Sequence, residues 1–179
     1  MVRAARGSPL WGALHEPLTP MLGSPGVLII RRFDAPSDVL WRVWNESDLA
    51  RRWWCPERFT VLEHRFDARP DGVWHTILRA PDGEVYRRHG RFREVLPGAR
   101  FTFSLVWDDH PTDSEVWVTV TLEESGGRTL LTLRHGPYPN VEWRRAEEEA
   151  WHAAFDQLET IVGCSRGASA VHCAAASGR

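Results

Sequence analysis

The chain has 179 residues, 42% of them hydrophobic, a size and composition suited to one domain with an ordinary core. All 22 basic residues are Arg and the net charge is −2. No basic excess therefore marks a nucleic-acid or membrane-surface partner, and the lack of Lys excludes Schiff-base and P-loop lysine chemistry. Three cysteines (Cys55, Cys164 and Cys173) lack framework spacing, and no run approaches the roughly 18 apolar residues that would span a bilayer. Cytoplasm is the expected compartment. Ten tryptophans are the outlier, because a core rarely satisfies so many indole N–H donors.

In chain order, residues 1–25 are rich in Pro and Gly, without apolar period, and are expected to be a flexible leader, with Met21 a second candidate start. Val27 to Phe33 is β-branched and predicts a strand. Asp34-Ala35-Pro36 then opens a helix, Asp34 as cap, with Val39, Leu40, Val43 and Trp44 on one face. Ser47 begins a second short helix that leads into Trp53-Trp54-Cys55-Pro56. Turn signals follow at Arg69–Gly72, Ala80–Gly83, Leu96–Gly98 and Ser125–Gly127. Between them period-2 alternation places Phe101, Phe103, Leu105 and Trp107 on one face. It does the same for Val116, Val118, Val120 and Leu122, and for Leu131, Leu133 and His135. Strands so close in sequence pair antiparallel, as a meander. Asn140 caps a final helix carrying Trp143, Glu147, Ala150, Trp151, Ala154, Leu158 and Ile161 on one stripe, expected to end at Gly163. The pattern defines an α+β domain over 26–162, one curved antiparallel sheet wrapped round one long helix, with 163–179 as a disordered tail.

Several motifs resemble those of the SRPBCC (START-like, helix-grip) proteins of the heat-shock chaperone ATPase activator type. Phe33-Asp34-Ala35-Pro36 with Val39 and Trp41 is similar to the family opening, and Trp53-Trp54-Cys55-Pro56 to its Trp-Trp-Gly-Pro. Arg69-Pro70-Asp71-Gly72-Val73-Trp74 resembles its Arg-x-Gly-Gly-x-Trp turn. Gly90 to Val95, Val118 to Val120, Thr129 to Leu133 and Ala150-Trp151 follow in family order. Cys55, Asp71 and Ala150 each stand where the family usually has Gly.

The inward faces gather Trp74, Thr76, Phe92, Phe101, Phe103, Leu105, Trp107, Val118 and Leu133 against Trp143, Ala150, Trp151 and Ala154. A filled core and a ligand-lined cavity both fit this set. The resemblance implies the cavity, with Trp54, Trp74, Thr76, Phe92, Phe101, Phe103, Trp107, His135, Trp143, Glu147, Ala150 and Ala154 as its ligand-binding residues. Ala150 and Ala154 are expected to face the Phe101, Phe103 and Trp107 row, leaving room for a small apolar or aromatic ligand. The polar candidates are His135, Glu147, Tyr86, Arg88 and His64. Glu147 could act as acid or base with a raised pKa, or reach the rim, or pair with an arginine. His135 reads as a rim histidine, and Cys55 as a mouth thiol or an inert buried one. No catalytic motif, metal-ligand spacing or cofactor motif is present, so no metal and no cofactor are expected, and Cys164, Cys173 and His172 are not assigned as ligands. Three functions stay open. The first is a non-catalytic binder of an apolar or aromatic ligand. The second is a polyketide cyclase-like or hydrolase-like enzyme using the same cavity. The third is a co-chaperone-like activator acting through its surface. No nucleic-acid or membrane partner is expected, and a homodimer is left open.

Overall fold

The computed structural model describes residues 26–55, 58–108 and 116–167. The leader, the greater part of the tail, His172 and Cys173 lie outside them. Strand β1 (Val27–Phe33) leads to helices α1 (Ser37–Asn45) and α2 (Ser47–Ala50). The meander follows as β2 (Thr60–Phe66), β3 (Val73–Arg79), β4 (Val85–Leu96), β5 (Arg100–Trp107), β6 (Val116–Ser125) and β7 (Arg128–Gly136), and α3 (Val141–Gly167) closes the chain.

The strands form one antiparallel sheet in the order β1-β7-β6-β5-β4-β3-β2, so each strand of the meander pairs with its successor. Strand β1 returns to the far edge, running along β7 from Val27 opposite His135 to Phe33 opposite Thr129. Register shifts between Val61 and Glu63 in β2 and between Phe92 and Glu94 in β4 bend the sheet, which curls as a half-barrel around α3. The turn before β3 explains one sequence signal. Asp71 sits at φ 62°, a left-handed conformation that Asp tolerates better than most residues, and a Cβ on Gly72 would lie 2.0 Å from the Asp67 carbonyl oxygen.

Two helix ends differ from expectation. Asp34 does not cap α1: Pro36 holds that position without a side-chain bond, and Asp34 accepts from Arg128 Nε at 3.0 Å. The first-turn donors go across to the sheet instead, Ser37 N and Oγ donating to Glu124 Oε2 at 2.9 and 3.0 Å. Helix α3 runs past Gly163 to Gly167. A Cβ at Gly163 would meet open space, and an interior glycine costs only about 1 kcal/mol, too little to stop a long helix. At the other end Asn140 does cap α3, its Oδ1 accepting from the Trp143 N–H at 2.7 Å.

The core lies between the concave face of the sheet and the three helices. Leu40, Val43 and Trp44 of α1 are buried, as are Trp53 and Trp54 just after α2. Trp44 packs edge-on against Trp53 and Phe101, with ring centroids 4.6 and 5.0 Å apart, and stacks on Trp151 at 6.0 Å. Trp54 reaches further, meeting Phe66, Trp74 and Phe103 at 5.0, 6.0 and 6.4 Å. Aromatic edges and faces of opposite partial charge make such tilted packing favourable beyond the area it buries.

Candidate functional site

Four of the expected site residues, Trp54, Glu147, Ala150 and Ala154, line one cavity between sheet and α3, together with Arg88, Leu105 and Trp151. About 20 Å³ of it is open to water-sized molecules, room for one or two waters. With its interstices and mouth the space comes to about 350 Å³. The alanines arrive there because α3 presents positions 147, 150, 151 and 154 on one stripe, one turn apart. The Ala150 methyl narrows the space.

The remaining expected residues sit elsewhere. Trp74, Phe92, Phe101 and Phe103 are fully buried, and for them the filled core is what the structure shows around this cavity. Phe101 and Phe103 are not among the residues lining this cavity; Phe101 packs on Trp44 and Phe103 on Trp54. The helices before β2 thus supply rings that strand alternation alone does not reveal. Thr76 is buried at the β2 side, its Oγ1 2.9 Å from His64 Nδ1. Trp143 packs on Tyr138 at 6.3 Å. Trp107 carries Arg88, whose guanidinium carbon lies 3.8 Å from its ring centroid, a cation–π contact. Tyr86 turns away, donating to Glu84 Oε2 at 2.7 Å.

A buried polar cluster borders the cavity. Glu147, Arg88 and His135 are 3%, 8% and 2% exposed. Glu147 does not reach the rim; it belongs to the interior with Arg88, and His135 is equally far from a rim position. Burial raises the Glu147 carboxyl above its ordinary pKa, with Arg88 pulling it back down. Burial lowers Arg88 to about 10, with Glu147 the main charge opposing the change, so the guanidinium stays cationic at neutral pH. His135 is lowered to about 3 by burial and by Arg88. Its tautomer follows from hydrogen bonding. Trp151 Nε1, a donor only, lies 2.9 Å from His135 Nδ1, and the Tyr138 hydroxyl points at the same lone pair from 2.5 Å. The imidazole proton is therefore on Nε2, which has no hydrogen-bond partner among the described residues. Burial pushes the Tyr138 phenol up, which keeps it neutral. Cys55 is buried and its thiol is pushed up to about 11, mainly by desolvation, so it is the inert cysteine of the two readings. The histidine–carboxylate pair bordering the cavity, His135 Nδ1 and Glu147 Oε2, is 3.9 Å apart, beyond hydrogen-bond reach.

Tyr138 is the member of this cluster that the sequence reading missed. It lies between Pro137 and Pro139 in the link from β7 to α3, and an aromatic held between two prolines was its one available signal. No group of three or more His, Cys, Asp or Glu among the described residues could hold a metal ion, and no described helix is long and apolar enough to cross a membrane.

A curled antiparallel sheet gripping a long C-terminal helix defines the START-like, helix-grip class. Residues 34–163 match the model of the Activator of Hsp90 ATPase homolog 1-like protein family, and the chain belongs to that family. Solved structures agree on the fold. A protein from Chromobacterium violaceum is 25% identical, with a TM-score of 0.68 over 77% of this chain and 96% of that one. An AHSA1 protein from Silicibacter pomeroyi is 24% identical, with a TM-score of 0.69 over 78% of this chain and 99% of that one. A protein from Arthrobacter aurescens is 22% identical, with a TM-score of 0.67 over 87% of this chain and 98% of that one. Among curated proteins there is no match.

Proposed function

We propose that this protein is a binder of a small apolar or aromatic molecule, held between the sheet and α3, and that it does no chemistry on it. The observation that carries the reading is the cavity itself, lined by two alanines of α3, by Leu105 and Arg88, and by the rings of Trp54 and Trp151. Apolar walls with a few buried polar groups are what small-molecule sites are made of. Binding is favoured over catalysis because His135 and Glu147 are not in hydrogen-bond contact and the His135 lone pair is already taken.

An open volume of about 20 Å³ is far below the roughly 150 Å³ that accommodates benzene, so an aromatic ligand enters by displacing part of the wall. Trp54 is the ring to move. Trp53, Trp74 and Trp151 each donate their indole N–H, to Val43 O, Ser104 O and His135 Nδ1, whereas the Trp54 N–H has no partner among the described residues. The test pairs ligand-induced tryptophan quenching with thermal unfolding, on the wild type and on Ala154→Phe. Wild type should be quenched by planar aromatics. The added ring should abolish quenching while costing about 1–3 kcal/mol, the range for overpacking. Unchanged quenching in Ala154→Phe, or none in the wild type, would sink the reading.

A further inference from the structure

Two histidines on the outer face of the sheet, away from the cavity, form a pair of their own. Trp74, Thr76 and Arg88 are buried on the concave side, so strand alternation turns His75 of β3 and His89 of β4 outward. The antiparallel register sets these two residues directly opposite each other. Partners so placed have Cβ atoms about 4.5–5.5 Å apart, close enough for their rings to share a ligand. Each ring is engaged at one nitrogen by a carboxylate from the strand on its far side. His75 Nε2 donates to Glu63 Oε1 of β2 at 2.7 Å, and His89 Nδ1 donates to Asp108 Oδ1, just after β5, at 2.5 Å.

An ionised carboxylate only accepts, so these contacts fix the tautomer of each neutral ring. The lone pairs are then on His75 Nδ1 and His89 Nε2, and no hydrogen bond occupies either among the described residues. An N–H given to a carboxylate is the arrangement that stands behind metal-ligating histidines, where it orients the ring and raises the basicity of the other nitrogen. Here it occurs twice, with the carboxylates on the outer strands and the imidazoles on the two strands between. The surrounding charge selects among ions. Arg65 is the β2 partner of His75, and Arg87 and Arg91 flank His89 on the same face of β4. These three cations outweigh Glu63 and Asp108, so the site gives no net attraction to a hard ion such as Mg²⁺ or Ca²⁺, which wants oxygen ligands. It suits an ion that bonds imidazole nitrogen, such as Zn²⁺, Ni²⁺ or Cu²⁺.

We propose that His75 Nδ1 and His89 Nε2 together ligate one divalent transition-metal ion across β3 and β4, with Glu63 and Asp108 as the residues that position the rings. No group of three protein donors is assembled among the described residues, so water fills the remaining positions of the ion.

The test titrates the full chain with Zn²⁺, and with Mg²⁺ as the hard-ion control. Because the chain has eight histidines, binding is read by NMR at the ring nitrogens of these two. Zn²⁺ should shift the His75 and His89 signals together, saturating at one ion, and Mg²⁺ should shift neither. The two side chains are 35% and 54% exposed, so His75→Ala and His89→Ala should fold as the wild type does, which thermal unfolding without metal checks. Either substitution should remove the Zn²⁺ response of the ring that remains, and the double variant should lose no more affinity than each single one, the mark of a chelate. Glu63→Ala or Asp108→Ala should weaken Zn²⁺ about 10–100-fold and release the tautomer of the ring it bonds, seen in the ring ¹⁵N shifts. Zn²⁺ shifting one ring without the other, a response that survives in either single variant, or no response of the two rings overturns the site.

Discussion

Acid should unfold this protein through two buried histidines. His64 on β2 is 3% exposed, stacks on Phe66 at 4.8 Å and bonds through Nδ1 to Thr76. His135 on β7 is 2% exposed and accepts from Trp151. Both fall from the ordinary 6.5 to about 3, with desolvation the first cause in each. Because the folded pKa lies below the unfolded one, the unfolded chain takes up these protons first as the pH drops. Stability is then whole above about pH 6.5 and drains towards about pH 3, at about 1.4 kcal/mol per pH unit for each histidine. Two units below 6.5 the pair together remove about 5 kcal/mol, comparable with the whole stability of a small domain. Glu147 works in the opposite sense: its raised folded pKa lets the folded protein bind a proton early, offsetting about one histidine over its own window. Urea unfolding between about pH 7 and about pH 4.5 measures the slope. His64→Gln, which can keep the bond to Thr76, should lower it by about 1.4 kcal/mol per unit. A flat profile, or a His64 or His135 ring-proton signal titrating near the ordinary value, would refute the reasoning.

Two further outcomes test packing. Trp151→Ala removes a ring stacked on Trp44 and a donor to His135, and should cost about 3–5 kcal/mol; a loss under about 1 kcal/mol in thermal unfolding would contradict its buried position. Gly90→Ala would set a methyl 1.9 Å from the Ser104 carbonyl oxygen and 2.6 Å from Trp74 Nε1, forcing β4 away from β5 at a cost of about 3 kcal/mol. A neutral result there would mean the two strands are further apart than described.

The meander was legible in the sequence because period-2 alternation and turn chemistry are local. Phe101, Phe103, Val118, Val120, Leu131 and Leu133 are all buried, as their spacing implied. The α3 stripe was legible for the same reason, and so was its Asn140 cap. What lies opposite what was not. Trp44 of α1 and Trp54 just after α2 stand more than forty positions before β5, and nothing local says that they would pack on Phe101 and Phe103. The polar cluster was legible in part. Glu147, Arg88 and His135 were recognisable as inward polar residues, but rim and interior look alike in a sequence. That His135 accepts from Trp151 depends on the approach of β7 to α3 and could not be read from spacing.

The return of β1 to the far edge of the sheet has a kinetic consequence. Each pair from β2 to β7 forms from neighbouring segments, whereas Val27 meets His135 across 108 positions (135 minus 27). Chain entropy penalises that ring closure more than any hairpin, so the meander assembles first and the β1 zipper comes late. Its arrival lays Arg31 against Asp156 and Glu159 of α3, clasping helix and strand together. His135, opposite Val27, thus gains its β1 neighbour late, while its imidazole is covered from the other side by Trp151 and Tyr138.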